Sequence, residues 1–335
     1  MTVLLEGEGL WQRYAPGRPW ALRDAHLRLH EGEVVSLVGE SGCGKTTLAR
    51  IVAGVLTPTL GVVRFEGVPV AELDKEGRRA YRRSVQLIHQ DPYVSLNPAH
   101  TIYETVTAGM LRHRLATRRT VRQRARELLD LVGLDSDDTF LRKYPHQISG
   151  GQRQRVAIAR AIAVEPRVLI ADEPVSMLDV SMRVSVLDLL LRLRREMNLA
   201  VIFVSHDLSV IRYFGEDSRM IVMYYGRQVE EGTAAAILDA PAHPYALLLT
   251  QAIPVPDPEA ARARAGLARR FGGAEAPKDT AAADAEGCSF RPRCPFALDR
   301  CAQEVPTLDV WRRDGRRAAC FQADRVVGAE EPSRV

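Results

Sequence analysis

Residues 39–47 read Gly-Glu-Ser-Gly-Cys-Gly-Lys-Thr-Thr, and no other stretch constrains the chain as much. They match G-x-x-x-x-G-K-[ST], the pattern of a phosphate-binding loop. Residues 33–38 (EVVSLV) predict a short buried strand before it. Residues 46–52 (TTLARIV) predict a helix after it, ending near Gly54 with Pro58 beyond. Strand, glycine loop and helix in that order turn the pattern into a site. Gly39, Gly42 and Gly44 let the backbone take positive φ and turn its N–H groups inward, with Ser41 and Cys43 between them. The helix dipole adds about 0.3–1 kcal/mol per anion at an exposed terminus, and up to ~2 when partly buried. Lys45 is placed to bridge β- and γ-phosphates, and the Thr46 hydroxyl to ligate Mg²⁺, with Thr47 next in line. A chain of this length meets the bare letters by accident roughly 1% of the time. The strand–helix context makes a chance glycine turn remote.

Bulk properties exclude several classes. The 335 residues suffice for one large domain or two smaller ones. Hydrophobic content of 46% and charged content of 26% are ordinary for a soluble globular protein. No apolar run reaches the roughly 18 residues of a membrane span. The N-terminus, MTVLLEGEGLW, lacks a charged region and a cleavage site, so a secretory signal is not expected and the cytoplasm is. A net charge of +4 is mild and gives no nucleic-acid signal.

The rest of the chain supplies partners for the loop. Residues 3–30 predict strands and a turn around Trp11, Tyr14, Trp20 and Leu22. Tyr14 lies some thirty residues before Lys45, where a ring could stack on a purine; taken alone, a core or surface aromatic is the better reading. Residues 61–67 predict another strand between glycines, and residues 86–90 lead into an Asp91-Pro92 turn. From 98 to 144 the chain turns helical and Arg-rich, with Arg118, Arg119, Arg122, Arg124 and Arg126 opposite Leu128, Leu129, Leu131 and Val132. This predicts a helical insert with a solvated basic face.

Ser149, Gly150, Gly151 and Gln152 open a helical stretch running through Ala163, making a second helix-terminal anion site. Without the first loop it would be only a cap. Residues 168–172 (VLIAD) predict a buried strand ending in Asp172, with Glu173 directly after it. In a phosphate-loop protein the strand-end Asp172 holds Mg²⁺, directly or through water, and Glu173 polarises the attacking water. Residues 181–197 predict an amphipathic helix, and residues 200–204 another buried strand with Ser205-His206-Asp207 at its end. His206 there is in reach of a γ-phosphate, though alone it reads better as structural. Residues 219–232 predict a closing hairpin, and His243-Pro244-Tyr245 opens a short apolar helix. Residues 254–286 are Ala-, Pro- and Gly-rich, which predicts a linker and a mobile stretch.

Together these residues resemble the ATP-binding-cassette ATPases over roughly residues 3–250. Residues 39–46 resemble the Walker A loop, Gln90 the Q-loop glutamine, and residues 148–152 the LSGGQ signature, with Ile148 for the usual Leu. Residues 168–172 resemble Walker B, Glu173 the catalytic glutamate and His206 the switch histidine. Ser176-Met177-Leu178-Asp179 resembles the D-loop, with Met177 for the usual Ala, and Tyr14 falls where the family stacks adenine. The resemblance implies an α/β fold: a phosphate-loop NTPase (RecA-like) core, an N-terminal antiparallel β subdomain and a helical insert at about 92–155, all within residues 1–253. It implies ATP and Mg²⁺, the metal held by Thr46, Gln90 and Asp172. It also implies a nucleotide sandwich. One subunit contributes Lys45, Thr46, Gln90, Asp172, Glu173 and His206; the other contributes Ser149 and Gly151; Tyr14 and Asp179 are further nucleotide-binding residues by the same resemblance.

A narrower resemblance, to the ATPase subunits of dipeptide and oligopeptide importers, rests on residues 90–93 (QDPY), 95–98 (SLNP), 243–245 (HPY) and 253–256 (IPVP) and on the cysteine-rich tail. It implies a second cassette, identical or related, two transmembrane permease subunits, an extracytoplasmic binding protein acting indirectly, no nucleic acid, and a place on the cytoplasmic face of the membrane. The subgroup includes nickel and some glycan importers, and soluble cassette complexes without a membrane partner are the other alternative.

The tail spans residues 287–325 after the linker, with 326–335 beyond it. Cys288, Cys294, Cys301 and Cys320 are spaced C-x5-C-x6-C-x18-C. Disulfides are not expected in a reducing compartment. Four cysteines in a segment too small for its own core suggest a metal staple rather than free thiols. Zinc usually shows tight C-x2–4-C pairs, absent here. A [4Fe–4S] cluster takes four thiolates at other spacings, and the family's tails can carry one, so the cluster is expected ahead of zinc. Cys43 belongs to the phosphate loop and is not one of these ligands.

Overall fold

The computed structural model describes residues 2–215, 217–271, 286–311 and 315–327. Its centre is a parallel sheet. Strands β3 (Val34–Val38), β7 (Val168–Asp172) and β8 (Ala200–Ser205) are buried at every residue. Their near-continuous apolar sequences are what a parallel strand needs when both faces are covered. With β6 (Val85–Ile88) and β9 (Arg219–Tyr224) they run in the order β9-β3-β8-β7-β6, parallel throughout. The hairpin partner β10 (Arg227–Thr233) adds antiparallel to β9.

Side-chain alternation sends the two faces of the sheet into two cores. Val35 and Leu37 of β3 join Ile202 and Val204 of β8 under Leu48, Ile51 and Val52 of the helix Lys45–Val52. Val34 and Val38 join Leu169, Ala171 and Phe203 in the other core, with residues from the helices Gly150–Ile162 and Val180–Met197. The phosphate loop therefore leaves the C-terminal end of a central strand, where sites of parallel sheets gather.

Two further layers flank this core. Strands β1 (Val3–Gln12), β2 (Leu22–His30), β4 (Leu60–Phe65) and β5 (Val68–Pro69) form an antiparallel sheet in the order β2-β1-β4-β5. Leu4, Leu5, Leu10 and Leu27 of this sheet belong to the same core as the helix after the loop. The insert carries the helices Ile102–Arg112, Val121–Leu131 and Asp138–Leu141. Thr101 and Glu104 close the first of these with a reciprocal capping box. The basic run is a solvated face, as expected: Arg118, Arg119, Arg122 and Arg124 are exposed, and Arg122 and Arg126 share Asp138 at 2.8 Å each.

The C-terminal extension is built onto the sheet. Two short strands, β11 (Asp309–Val310) and β12 (Arg317–Ala318), continue it outward from β10. Phe290 is buried edge-on to Tyr224 of β9 at 5.2 Å between ring centroids. Within residues 254–286, read from sequence as a linker, the structure has the helix Pro258–Arg269. Its sequence PEAARARAGLAR is rich in strong helix formers, and Glu259 N–H donates to Asp257 Oδ1 at 2.9 Å ahead of it. Residues 272–285 of that segment, and 328–335 of the tail, lie outside the described residues.

Candidate functional site

The loop after β3 has the backbone its glycines foretell. Gly39, Gly42 and Gly44 take φ of 149°, 81° and 106°. A Cβ on Gly44 would stand 2.6 Å from the Ala21 carbonyl oxygen, and one on Gly39 would stand 2.2 Å from that of Met223. Both positions exclude any side chain. Lys45 is 3% exposed, and its Nζ donates to the Gly39 and Glu40 carbonyls at 2.7 and 2.9 Å. Cys43 is buried beneath the loop, where burial pushes its thiol pKa up.

Thr46 Oγ1 donates to Asp172 Oδ1 at 2.9 Å. Asp172 is almost wholly buried at the end of β7; desolvation raises its carboxyl pKa against the lowering by the Thr46 hydrogen bond. A cation at this point would find one hydroxyl and one carboxylate already joined, which is the donor set Mg²⁺ takes beside phosphates. Tyr14 is 61% exposed, and its hydroxyl lies 2.9 Å from Thr47 Oγ1. That puts an open aromatic face beside the first turn of the loop helix.

Glu173 collects the remaining groups. Its residue sits at φ 46°, in the left-handed region that non-glycine residues enter infrequently. The Gln90 Nε2 donates to Glu173 Oε2 at 3.0 Å, and His206 Nδ1 lies 3.1 Å from the same oxygen. Gln90, Glu173 and His206, read separately from sequence, thus meet on one atom at the ends of β6, β7 and β8.

The signature stands apart. Ser149 caps the helix Gly150–Ile162: its hydroxyl accepts from Gln152 N–H at 3.2 Å, while Gln152 Oε1 accepts from Ser149 N–H at 3.0 Å. Ser149 and Gly150 are exposed and Gly151 is buried. Asp179 caps the helix Val180–Met197, accepting from Met182 N–H at 2.9 Å. Among the described residues no hydrogen bond or ion pair joins residues 149–152 to Lys45, Thr46, Asp172 or Glu173.

The four late cysteines converge. Cys288, Cys294, Cys301 and Cys320 line one small cavity with Phe290, Phe296 and His243, and none is in a disulfide. Burial pushes the Cys294 and Cys320 thiols up to about 12. Among the described residues, however, no three of His, Cys, Asp and Glu form a group able to hold a metal ion.

One arrangement had no sequence signal. Arg293 of the extension, 7% exposed, reaches Glu40 of the loop with Nη1 at 3.1 and 3.2 Å from the two carboxylate oxygens. The Glu40 N–H donates to the Tyr245 hydroxyl at 2.6 Å. Tyr245 follows His243, itself buried, whose Nδ1 accepts from Tyr245 N–H at 3.0 Å and whose imidazole pKa burial lowers to about 3.

Comparison with known proteins agrees with this geometry. The family described as "ABC transporter" matches residues 22–176, and "Oligopeptide/dipeptide transporter, C-terminal region" matches residues 229–301. The probable peptide ABC transporter ATP-binding protein y4tS of Sinorhizobium fredii is 42% identical over 95% of this chain and 89% of its own length. The di/tripeptide transport ATP-binding protein DppF of Pseudomonas aeruginosa is 38% identical over 96% of this chain and 94% of its own. Among solved structures, the dimeric post-hydrolysis cassette MJ0796 bound to ADP and Pi aligns with a TM-score of 0.61 and 32% identity, over 69% of this chain and 99% of that one.

Proposed function

This chain belongs to the ABC transporter ATP-binding family, and from that premise we propose that it binds and hydrolyses ATP to power a dipeptide- or oligopeptide-type importer. The observation that carries the reading is the split between two anion sites. Lys45, Thr46, Asp172, Gln90, Glu173 and His206 lie along one end of the central sheet, while Ser149 and Gly151 open a separate helix with no bond to them. Two such chains facing each other would complete two sites, each with one chain's loop and the other's signature. The partner is a second cassette, a copy of this chain or a related one.

The roles follow from position. The N–H groups of the loop and Lys45 hold the β- and γ-phosphates, and Tyr14 covers the base. Thr46 and Asp172, together with Gln90, would hold Mg²⁺, which would supply charge neutralisation for the phosphates. Glu173 orients and polarises the attacking water, and His206, on the same carboxylate oxygen, senses the γ-phosphate. Asp179, which caps the helix Val180–Met197, is counted with the nucleotide-binding residues. Closure on ATP and reopening after hydrolysis would move the helical insert, whose root is Gln90.

The names of the relatives favour peptides over nickel or another solute. The insert favours a membrane partner over a soluble complex: Val94, 85% exposed, stands four residues beyond Gln90 beside Tyr93, which is 59% exposed with the Arg153 guanidinium over its ring at 4.0 Å. Among the described residues no helix is long and apolar enough to cross a membrane. In this reading two permease subunits span the membrane, this chain is peripheral on its cytoplasmic face, and an extracytoplasmic binding protein chooses the cargo. Glu173→Gln is expected to keep ATP binding, to trap a dimer on size exclusion, and to lower turnover by about 10²-fold or more. A monomer hydrolysing ATP at the parental rate would overturn the scheme.

For the tail, four thiols around one cavity fit the donor set of a [4Fe–4S] cluster, with Cys288, Cys294, Cys301 and Cys320 as ligands and Cys43 outside it. The preference for a cluster over zinc rests on the spacing C-x5-C-x6-C-x18-C, which lacks the tight C-x2–4-C pairs of zinc sites. Chain purified without air is expected to carry iron and acid-labile sulfide; iron-free chain holding zinc, or no metal, would refute the cluster.

A further inference from the structure

Glu40 is an awkward residue for a loop that holds phosphates. It follows Gly39 directly, and its backbone carbonyl is one of the two that accept from Lys45 Nζ, at 2.9 Å. An uncompensated carboxylate beside this loop repels the anion the loop exists to bind. The structure compensates it from outside the cassette. Arg293 spans 253 residues of sequence to place Nη1 between both Glu40 oxygens. The guanidinium also interacts with the neighbouring Tyr224 hydroxyl, each group affecting the other's titration. Phe290, in the short turn just before Arg293, packs against Tyr224 and Tyr245 at 5.2 and 5.5 Å. Tyr245 takes the Glu40 N–H. Glu40 is thus gripped by side chain and by backbone, both times from the extension or the helix it packs on. Arg293 immediately precedes Cys294, one of the four cysteines around the tail's cavity.

The geometry points to Arg293 as a positioning residue for nucleotide binding: it neutralises Glu40 and thereby makes the affinity of the phosphate loop depend on the folded, cysteine-lined extension. This rests on the ATP reading of the loop. A chain whose extension loses its shape frees the Glu40 carboxylate toward the phosphates, and ATP is held less tightly.

The test is titration of Mg-ATP into the full-length chain and its variants. Arg293→Met, close in size and without charge, is expected to weaken ATP binding by about five-fold, the order for one uncompensated charge at a partly exposed site. Arg293→Lys is expected to stay within about two-fold of the parent, since it keeps the charge. Glu40→Gln is expected to bind as tightly as the parent or tighter. The decisive variant combines Glu40→Gln with Arg293→Met, which regains the affinity of Glu40→Gln alone if Arg293 acts through charge. Arg293→Met at parental affinity would overturn the inference. So would a double variant as weak as Arg293→Met alone, because damage to the fold of the extension is not cured by removing a carboxylate elsewhere. A parent chain that bound no ATP would sink the reading of the loop, and this inference with it.

Discussion

Two helices of this chain begin at glycine-rich turns, and their surroundings differ. Around the first, Lys45 and Asp172 are buried and every functional side chain has a partner within the chain: Lys45 on loop carbonyls, Thr46 on Asp172, Gln90 and His206 on Glu173. Around the second, Ser149 and Gln152 satisfy only each other, and Ser149 and Gly150 face solvent. A helix terminus needs no more than that for its own stability. The first terminus is lined by buried polar groups; the second is left open to solvent, as the proposed sandwich requires. A self-contained site would bring the two together, and the structure keeps them on separate elements.

That contrast breaks most easily at Lys45. Lys45→Ala removes a buried ammonium from the phosphates, and ATP binding by the isolated chain is expected to fall about 10²-fold, from the loss of two charge-assisted contacts. Calorimetric titration measures it, and parental affinity would mean that the loop is not where nucleotide sits. Ser149→Ala is expected to have a smaller and different effect. The lost cap costs about 1 kcal/mol of stability. Binding to the lone chain should stay within about two-fold, while hydrolysis by paired chains should fall about 10-fold or more, because the missing hydroxyl belongs to the partner's site. Equal loss of lone-chain binding in both variants would erase the distinction between the two termini.

The sequence made the first terminus legible and left its outside support hidden. Residues 39–47 and the apolar runs of β3, β7 and β8 are local signals, since a strand covered on both faces must be apolar throughout and a phosphate loop must have glycine at its left-handed positions. Asp172, Glu173 and His206 stood out in the sequence because each lies at or just after the end of such a strand. The helix Pro258–Arg269 was readable too, from its Ala and Arg content, had propensity been weighed above the absence of a core-facing pattern. The contact of Arg293 with Glu40 was not readable. Neither residue sits in a periodic pattern that names the other, and an ion pair across so long a separation is fixed only when Phe290 is seated on Tyr224. The convergence of the four cysteines has the same character: their number suggested it, and only the packing of Phe290 and Phe296 beside them brings it about.

The smallest expected effect separates the two regions by their ion pairs. At the root of β3, Arg219 bridges Glu33 at 2.8 Å and Glu231 at 2.7 Å, all three mostly buried. Burial alone would raise the Glu33 carboxyl, but the Arg219 hydrogen bond and charge, with help from His30, hold it below the ordinary range. A carboxyl depressed in the folded state contributes stability that is complete above its unfolded value and fades as the pH falls through the folded one. Glu33→Gln is therefore expected to cost about 1–2 kcal/mol at pH 7. The gap to the parent should close as the pH drops below the ordinary carboxylate range. In the helical insert, Asp138 is also held low by Arg122 and Arg126, yet its side chain is 44% exposed, so solvent screens the pair. Asp138→Asn should shift the denaturation midpoint less than Glu33→Gln at neutral pH, and added salt should remove most of that shift. Denaturant titrations of both variants at neutral and acid pH measure the difference. If Asp138→Asn proved the more damaging at pH 7, the insert and not the root of the phosphate loop would be the part of this fold that depends on its charges.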